Sequence, residues 1–238
     1  MAILSIEKLY SGYGKLKVLF DINMKVNEKE ITVVVGPNGA GKTTLLNSIT
    51  GIATIHDGRI VYEGKDITRL PTHKIAKLGI AYLPQMGNVL TELTVEENLR
   101  IAGYLLEKHE VKDRIEEVLG MFPVLKEFYH RKAGTLSGGE RRMLAIAMAL
   151  MRRPKVLLLD EITTDLAPIL AKRVLSRVAE LRDELGLTIV LVEQMAKIAL
   201  EIGDRAYLLV SGTLRFEGKA DDLLKNPEFA RLYLGITR

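Results

Sequence analysis

One stretch restricts the possible folds of this chain more than any other, and it reads ITVVVGPNGAGKTTLLNSITG (31–51). Residues 31–36 are an apolar, β-branched run that ends in glycine, which predicts a buried strand. Residues 41–51 have the pattern of a helix that is closed by Gly51. Between them, GPNGAGKT (36–43) matches the spacing G-x-x-x-x-G-K-[ST]. A strand, a glycine-rich turn and a helix in this order predict a loop that wraps a phosphate group.

This phosphate loop (36–43) is expected to bind a nucleotide. Its glycines let backbone N–H groups turn inward, and the helix N-terminus adds a partial positive charge. Lys42 is expected to reach the β- and γ-phosphates, and Thr43 to bind Mg²⁺. A glycine turn with a chance lysine would not account for the strand before it and the helix after it. The expected nucleotide contacts are Gly36, Asn38, Gly39, Gly41, Lys42, Thr43 and Thr44.

A second apolar run, Val156 to Leu159, ends in two adjacent acids, Asp160 and Glu161. An unbroken apolar run predicts a buried strand of a parallel sheet, where an unpaired charge is costly. Asp160 is therefore expected to help hold the Mg²⁺ of Mg-ATP. Glu161 is expected to act as a general base on the water that attacks the γ-phosphate. Two helix-capping acids are the alternative, and that alternative stays open for Asp165.

Strand and helix patterns alternate along most of the chain, which predicts an α/β fold with a mostly parallel sheet covered by helices. Two further strand patterns precede the phosphate loop. Residues 94–128 differ, because they are helical, amphipathic and charged, as expected of an inserted helical segment. After the acid pair, the pattern predicts helices at 168–185 and 196–202, and a last helix that runs to the C-terminus.

Composition excludes several classes of protein. The chain has no cysteine, so disulfides, thiolate catalysis and cysteine–zinc sites are excluded. No apolar stretch approaches the ~20 residues that span a bilayer, and the N-terminus lacks a signal-peptide pattern. We therefore expect a soluble, cytoplasmic protein. The net charge of +4 suits phosphates or an anionic membrane surface, although scattered lysines would give the same value.

The segment TLSGGERRMLAIAMALMRRP (135–154) predicts a helix up to Arg153, stopped by Pro154. Ser137 and Glu140 have the spacing of a capping box. The two glycines between them each cost about 1 kcal/mol of helix stability, so they indicate that another group approaches this helix end closely. The expected apolar face consists of Met143, Ile146, Ala147 and Leu150.

The segment LSGGE (136–140) resembles the signature motif of the ATP-binding subunits of ABC transporters. The resemblance implies a phosphate-loop nucleotidase core at 1–85 and 136–238. It also implies an N-terminal antiparallel β-subdomain and an inserted α-helical subdomain at 86–135. Two chains would hold two nucleotides head to tail. The signature residues that would contact the γ-phosphate bound to the opposite subunit are Ser137, Gly138 and Gly139.

The same resemblance assigns roles to residues outside these motifs. Tyr13 would stack on adenine, and Gln85, in YLPQ, would contact Mg²⁺ and the attacking water. Gln194 stands where the family has a switch histidine, and it is expected to end the strand 187–193 and to point toward the γ-phosphate. Residues 162–165 (ITTD) also depart from the family pattern, which usually has proline and then small residues.

Within the family, ELTVEENL, LVEQ and LYLG are most similar to the ATPases of branched-chain amino acid importers. GIAYLPQ and SGGERR are also similar to the ATPase of lipopolysaccharide export. Membrane-spanning permeases would then dock between Gln85 and the helical insertion, at the inner face of the cell membrane. The second ATPase subunit would be another copy or a paralogue, and no nucleic acid partner is expected.

Two other functions stay open at this stage. One is a soluble ABC-type ATPase acting on nucleic acid or ribosomes, which usually has two cassettes or a long coiled-coil insertion. The other is a regulatory module that hydrolyses ATP slowly, which the departures at 162–165 and Gln194 permit. A phosphate-loop GTPase is disfavoured, because no N-K-x-D motif is present.

Overall fold

The computed structural model describes residues 1–226 and 229, which form two sheets with helices packed around them. The strands are β1 (Ala2–Tyr13), β2 (Leu16–Asn27), β3 (Ile31–Val35), β4 (Thr54–Tyr62), β5 (Lys65–Asp66), β6 (Ile80–Leu83), β7 (Val156–Asp160), β8 (Thr188–Glu193), β9 (Arg205–Val210) and β10 (Thr213–Lys219). The helices are α1 (Lys42–Ile49), α2 (Thr72–Lys77), α3 (Val95–Ala102), α4 (Lys108–Met121), α5 (Pro123–Glu127), α6 (Gly138–Leu150), α7 (Pro168–Leu185), α8 (Ala196–Ile202) and α9 (Ala220–Leu224). This arrangement confirms the predicted α/β fold with a mostly parallel sheet.

The larger sheet has the strand order β10-β9-β3-β8-β7-β6, and only β10 runs antiparallel to its neighbour. The central strands β3, β7 and β8 are buried on both faces because both faces are covered: Val33 and Val35 pack in one hydrophobic cluster, and Val34 packs in another. Since β3, β7 and β8 are parallel, their carboxyl ends meet at one edge. The phosphate loop and the acid pair therefore lie at the same edge of the sheet.

The smaller sheet is antiparallel, with the strand order β2-β1-β4-β5. Apolar residues of β1 and α1, such as Leu9 and Leu45, join Val34 of the larger sheet in one buried cluster. This packing holds α1 between the two sheets. It also brings Tyr13, at the end of β1, next to α1. The predicted N-terminal antiparallel unit is thus present.

The helices α3, α4 and α5 lie between β6 and α6 in the chain. Thr94 and Lys132 form an isolated antiparallel bridge, with backbone hydrogen bonds on both sides of it. We call the two paired segments, 93–95 and 131–133, the neck. The chain therefore enters and leaves this helical segment through two adjacent, hydrogen-bonded segments. The proposed boundaries of a separate helical subdomain, 86–135, stay a prediction.

Most helix positions follow the predictions, with differences at the ends. The helix after the phosphate loop ends at Ile49, and α6 ends at Leu150, earlier than predicted. Arg153 has a φ of 49°, so the chain turns there toward β7 before Pro154 is reached. Of the segment predicted to form the last helix, α9 is described, and the remaining part, including LYLG, lies outside the described residues.

Helix α2 was not predicted. It has six residues, and Ile75 is the one residue in it that is buried. A single apolar position cannot produce a helical period, so the segment gives no pattern to detect. Among the described residues, no helix combines the length and hydrophobicity that a membrane span requires.

Candidate active site

The phosphate loop connects β3 to α1 and has a shape that needs glycine at two positions. Gly41 has a φ of 103°, and a Cβ there would lie 2.7 Å from Leu19 Cδ2. A Cβ at Gly36 would lie 2.0 Å from the carbonyl oxygen of Leu209. Asn38 and Gly39 lie at the exposed tip of the loop. The loop is therefore packed at both ends and open at its tip, as a phosphate cradle requires.

Lys42 is the first residue of α1, and its side chain reaches back into this loop and is only 4% exposed. Its ammonium donates to the carbonyl oxygens of Gly36 (3.0 Å) and Pro37 (3.2 Å). It also forms an ion pair with Glu161, with 3.2 Å between Nζ and Oε1. An ammonium has three N–H donors, so these three acceptors can satisfy it. The predicted phosphate-binding lysine and the predicted base are thus in direct contact.

Asp160 is buried at the end of β7, with an exposed fraction of 1%. Thr43 Oγ1 donates to its Oδ1 (3.2 Å), and the Tyr82 hydroxyl donates to its Oδ2 (3.1 Å). Burial raises the pKa of Asp160, and the two hydrogen bonds oppose that rise. Burial, followed by the nearby Asp160 carboxylate, raises the pKa of Tyr82, so this phenol stays protonated and can donate. No feature of the β6 sequence identified Tyr82 as part of the site.

Thr43 and Asp160 fit a magnesium site. Their oxygens are hydrogen-bonded to each other, so one divalent cation can bind both. Mg²⁺ usually takes one or two protein carboxylates and completes its shell with water and phosphate oxygens. Within the described part of the chain, no group of three or more His, Cys, Asp or Glu side chains could hold a metal alone. The donor set therefore suits Mg²⁺ that arrives with a nucleotide.

Gln85 joins this cluster from the segment after β6. Its Nε2 donates to Glu161 Oε2 (3.3 Å) and lies 3.5 Å from Thr164 Oγ1. Glu161 has a φ of 46°, a left-handed conformation that non-glycine residues rarely adopt. Its backbone N–H donates to the carbonyl oxygen of Val192 (2.8 Å), which anchors the turn. The structure therefore brings Lys42, Gln85 and Glu161 together.

Two other predicted residues, Tyr13 and Gln194, make no hydrogen bond to this cluster. The Tyr13 hydroxyl accepts a hydrogen bond from Asn47 Nδ2 of α1 (2.8 Å), and the side chain is 44% exposed. Gln194 is exposed and directly follows β8, as predicted. Its backbone N–H donates to Glu193 Oε2 (3.3 Å). Adenine stacking by Tyr13 and γ-phosphate contact by Gln194 stay predictions.

The signature segment lies at the start of α6. The Ser137 backbone N–H donates to Glu140 Oε2 (2.7 Å), and the Glu140 N–H donates to Ser137 Oγ (3.3 Å), which is the predicted capping box. Gly138 lies under Leu166, whose Cδ2 would be 3.0 Å from an added Cβ. Among the described residues, no hydrogen bond or ion pair links 137–139 to the phosphate loop. A role for Gly139 and its neighbours at another chain's nucleotide stays a prediction.

The segment 162–165 is built around a buried acid that sequence reasoning did not identify. Thr163 donates from its backbone N–H to Glu193 Oε1 (2.9 Å) and from its hydroxyl to Glu193 Oε2 (2.7 Å). Burial raises the pKa of Glu193. Asp165 caps no helix, because α7 begins at Pro168 without a side-chain cap. Glu193 ends an apolar run just as Asp160 does, so the same signal could have found it.

This site, on this fold, defines an ATP-binding cassette. The family model described as ABC transporter matches residues 19–164, and the chain belongs to that family. It is an ATP-hydrolysing, ATP-binding subunit of an ABC transporter.

Three curated relatives indicate the branch of the family. The chain is 56% identical to "Probable branched-chain amino acid transport ATP-binding protein LivF" of Archaeoglobus fulgidus, covering 96% of this chain and 97% of the relative. It is 43% identical to "High-affinity branched-chain amino acid transport ATP-binding protein BraG" of Pseudomonas aeruginosa, covering 98% and 100%. The lipopolysaccharide export ATP-binding protein LptB of Haemophilus influenzae is more distant, at 34% identity over 99% and 98%. The chain is therefore most similar to branched-chain amino acid transport ATPases.

Two solved structures share the fold. One is the ADP conformation of MJ1267, an ATP-binding cassette of an ABC transporter, with a TM-score of 0.89 and 32% identity over 99% of this chain and 100% of the other. The second is a dimeric structure of the cassette MJ0796 in a post-hydrolysis state, bound to ADP and Pi. It has a TM-score of 0.79 and 26% identity, covering 94% and 99%.

Proposed function

We propose that this chain hydrolyses Mg-ATP to drive a branched-chain amino acid importer, at the inner face of the cell membrane. The observation that carries the chemistry is the cluster in which Glu161 contacts both Lys42 and Gln85, beside the Thr43–Asp160 pair. The substrate follows from the relatives at 56% and 43% identity, whose names describe branched-chain amino acid transport.

Each member of the cluster has a distinct task. Lys42 binds the β- and γ-phosphates. To do so, its ammonium gives up at least one of the three acceptors that it now contacts, and a phosphate oxygen takes that place. Thr43 and Asp160 hold Mg²⁺, which neutralises phosphate charge. Glu161 accepts the proton of the attacking water, and Gln85 orients both the carboxylate and that water. Gln194 donates a hydrogen bond to the γ-phosphate.

The nucleotide base and the second subunit complete the site. Tyr13 stacks on adenine, and its hydrogen bond to Asn47 fixes its ring beside α1. Residues 137–139 bind the γ-phosphate held by the other subunit of a head-to-tail dimer. This role is supported by the absence of any link to the chain's own phosphate loop within the described residues, and by the dimeric neighbour.

The permeases dock in a groove between β6, α3 and α6. It has a volume of about 480 Å³ and is lined mainly by apolar residues. Ile101 and Tyr104 lie together at its rim and are 46% and 74% exposed, and exposed apolar side chains that are grouped in this way mark interaction surfaces. This groove adjoins Gln85, so a permease seated there lies next to the cluster.

Uptake of labelled leucine by cells lacking this gene tests the proposal. The parent chain should restore uptake, and Lys42→Ala should not. Tyr104→Glu should keep ATPase activity but lose both uptake and copurification with the permeases. Leu185→Glu, a charge placed on a 38% exposed leucine at the end of α7, is the matched control and should behave like the parent. Normal leucine uptake in cells without the gene would refute the assignment of branched-chain amino acids as the substrate. A defect in lipopolysaccharide transport would favour the alternative, an ATPase of lipopolysaccharide export.

A further inference from the structure

Glu193 is as deeply buried as Asp160, and the mechanism above gives it no role. It is 1% exposed, and its carboxylate accepts three hydrogen bonds. Two come from the backbone N–H (2.9 Å) and hydroxyl (2.7 Å) of Thr163, and one comes from the N–H of Gln194 (3.3 Å). Thr163 is equally buried. The carboxylate is thus the acceptor for two separate chain segments.

This carboxylate has no ion-pair partner among the described residues. The positive group that interacts electrostatically with it is Arg142. Burial lowers the pKa of Arg142, and the negative charges of Glu193 and Asp165 oppose that change. Arg142 itself donates to the carbonyl oxygen of Gln85 (3.0 Å) and does not hydrogen-bond Glu193. An unpaired buried acid is costly, and a neutral or apolar side chain usually serves stability better. Stability alone therefore does not explain why a carboxylate with three hydrogen bonds occupies this position.

The position of Glu193 shows what these bonds accomplish. The β7–β8 ladder ends at the pair Asp160 and Val192, and the Glu161 N–H extends it by one bond to Val192. The chain then turns at Glu161, where φ is 46°, so the backbone can no longer follow β8. The Glu193 side chain reaches across instead and accepts from Thr163. The segments after β7 and β8 thereby stay joined beyond the end of the ladder.

We propose that Glu193 is a positioning residue that ties segment 162–165 to the start of the segment after β8, and so fixes Glu161 relative to Gln194. This inference rests on the roles proposed above for those two residues. The positioning role depends on the hydrogen-bonding capacity of a carboxylate, which can only accept hydrogen bonds. A glutamine at this position would turn its NH₂ group toward the backbone N–H of either Thr163 or Gln194, and that N–H would lose its acceptor.

Two substitutions test the tie, and a third is the matched control. Glu193→Gln keeps the shape, and Thr163→Val removes one donor. A hydrogen bond to a charged group favours the bonded arrangement by about tenfold or more in its equilibrium constant. Because the productive position of Glu161 depends on this tie, kcat should fall by at least that factor in each variant. Because the phosphate loop is untouched, the dissociation constant of a fluorescent ATP analogue should stay within about twofold of the parent.

The control is Thr188→Val. Thr188 is also buried, and its hydroxyl accepts from the Lys29 N–H (2.9 Å), but it lies at the opposite end of β8. Its substitution should lower the melting temperature about as much as Thr163→Val and leave kcat unchanged. Equal losses of kcat in Thr163→Val and Thr188→Val would attribute the effect to destabilisation and overturn the inference.

Glu161→Gln, measured in parallel, separates this inference from the proposed function. If Glu161→Gln is inactive while Glu193→Gln and Thr163→Val keep the kcat of the parent, the positioning role is wrong and the base assignment stands. If Glu161→Gln hydrolyses ATP normally, the base assignment is wrong, and the inference that depends on it fails too. The inference is supported if all three variants lose kcat, nucleotide affinity is kept, and Thr188→Val is normal.

Discussion

Replacing Glu161 by glutamine is the most informative single change in this site. The carboxylate lies 3.2 Å from Lys42 Nζ and accepts a hydrogen bond from Gln85. Glutamine has nearly the same shape but cannot take up the water proton. A general base contributes about 10²–10⁴-fold, so we expect the ATPase rate to fall by that factor. The altered chain should bind ATP and accumulate as a dimer.

The same change should tighten ATP binding. In the parent, Glu161 takes one of the three hydrogen-bonding positions of the Lys42 ammonium. A neutral amide competes less well for that position, so more of the ammonium is available to a phosphate. A gain of about 1 kcal/mol corresponds to roughly fivefold tighter binding. The ratio of the two effects therefore separates catalysis from binding.

Three measurements check these expectations: steady-state ATPase activity, titration with a fluorescent ATP analogue, and size-exclusion chromatography with ATP present. Glu201→Gln is the matched control, because Glu201 is exposed on α8, and this variant should equal the parent in all three measurements. A Glu161→Gln variant with near-normal turnover would refute the assignment of the base. Weaker ATP binding would refute the competition for Lys42.

Three further changes test other parts of the structure. Gln194→Ala should slow ATP hydrolysis about tenfold to a hundredfold, because one hydrogen bond to a charged phosphate is lost, and Gln194→His should retain activity; equal rates in the alanine variant and the parent would make Gln194 a bystander. Gly139→Trp should abolish dimerisation and spare ATP binding by the monomer. In dilute solution, the ATPase rate of the parent should rise more than linearly with protein concentration. A rate strictly proportional to concentration down to the nanomolar range would contradict a shared site. Gly41→Ala should lower the free energy of unfolding by about 1–3 kcal/mol, because an alanine would adopt a φ of 103° and crowd Leu19; chemical denaturation measures this, and an unchanged midpoint would show that the loop can relax.

The parts of this site that sequence could predict are those that local patterns determine. Lys42 and Asp160 were predictable because a glycine spacing and an apolar run ending in acids are visible within a few letters. Contacts that depend on strand order were not: Tyr82 reaches Asp160 only because β6 lies beside β7. The partner of Glu193 could not be predicted for the same reason, since nothing local shows that Thr163 lies beside the end of β8.

The neck at 93–95 and 131–133 has a mechanical consequence. The helices that the neck attaches also share one buried hydrophobic cluster with α6, which includes Leu99 of α3, Leu119 of α4 and Leu144 of α6. Arg114 of α4 adds a hydrogen bond to the carbonyl oxygen of Met151, just after α6 (3.1 Å). A force applied to the inserted helices would therefore reach α6 through packed side chains as well as through the neck. The signature residues at the start of α6 would then move together with the inserted helices.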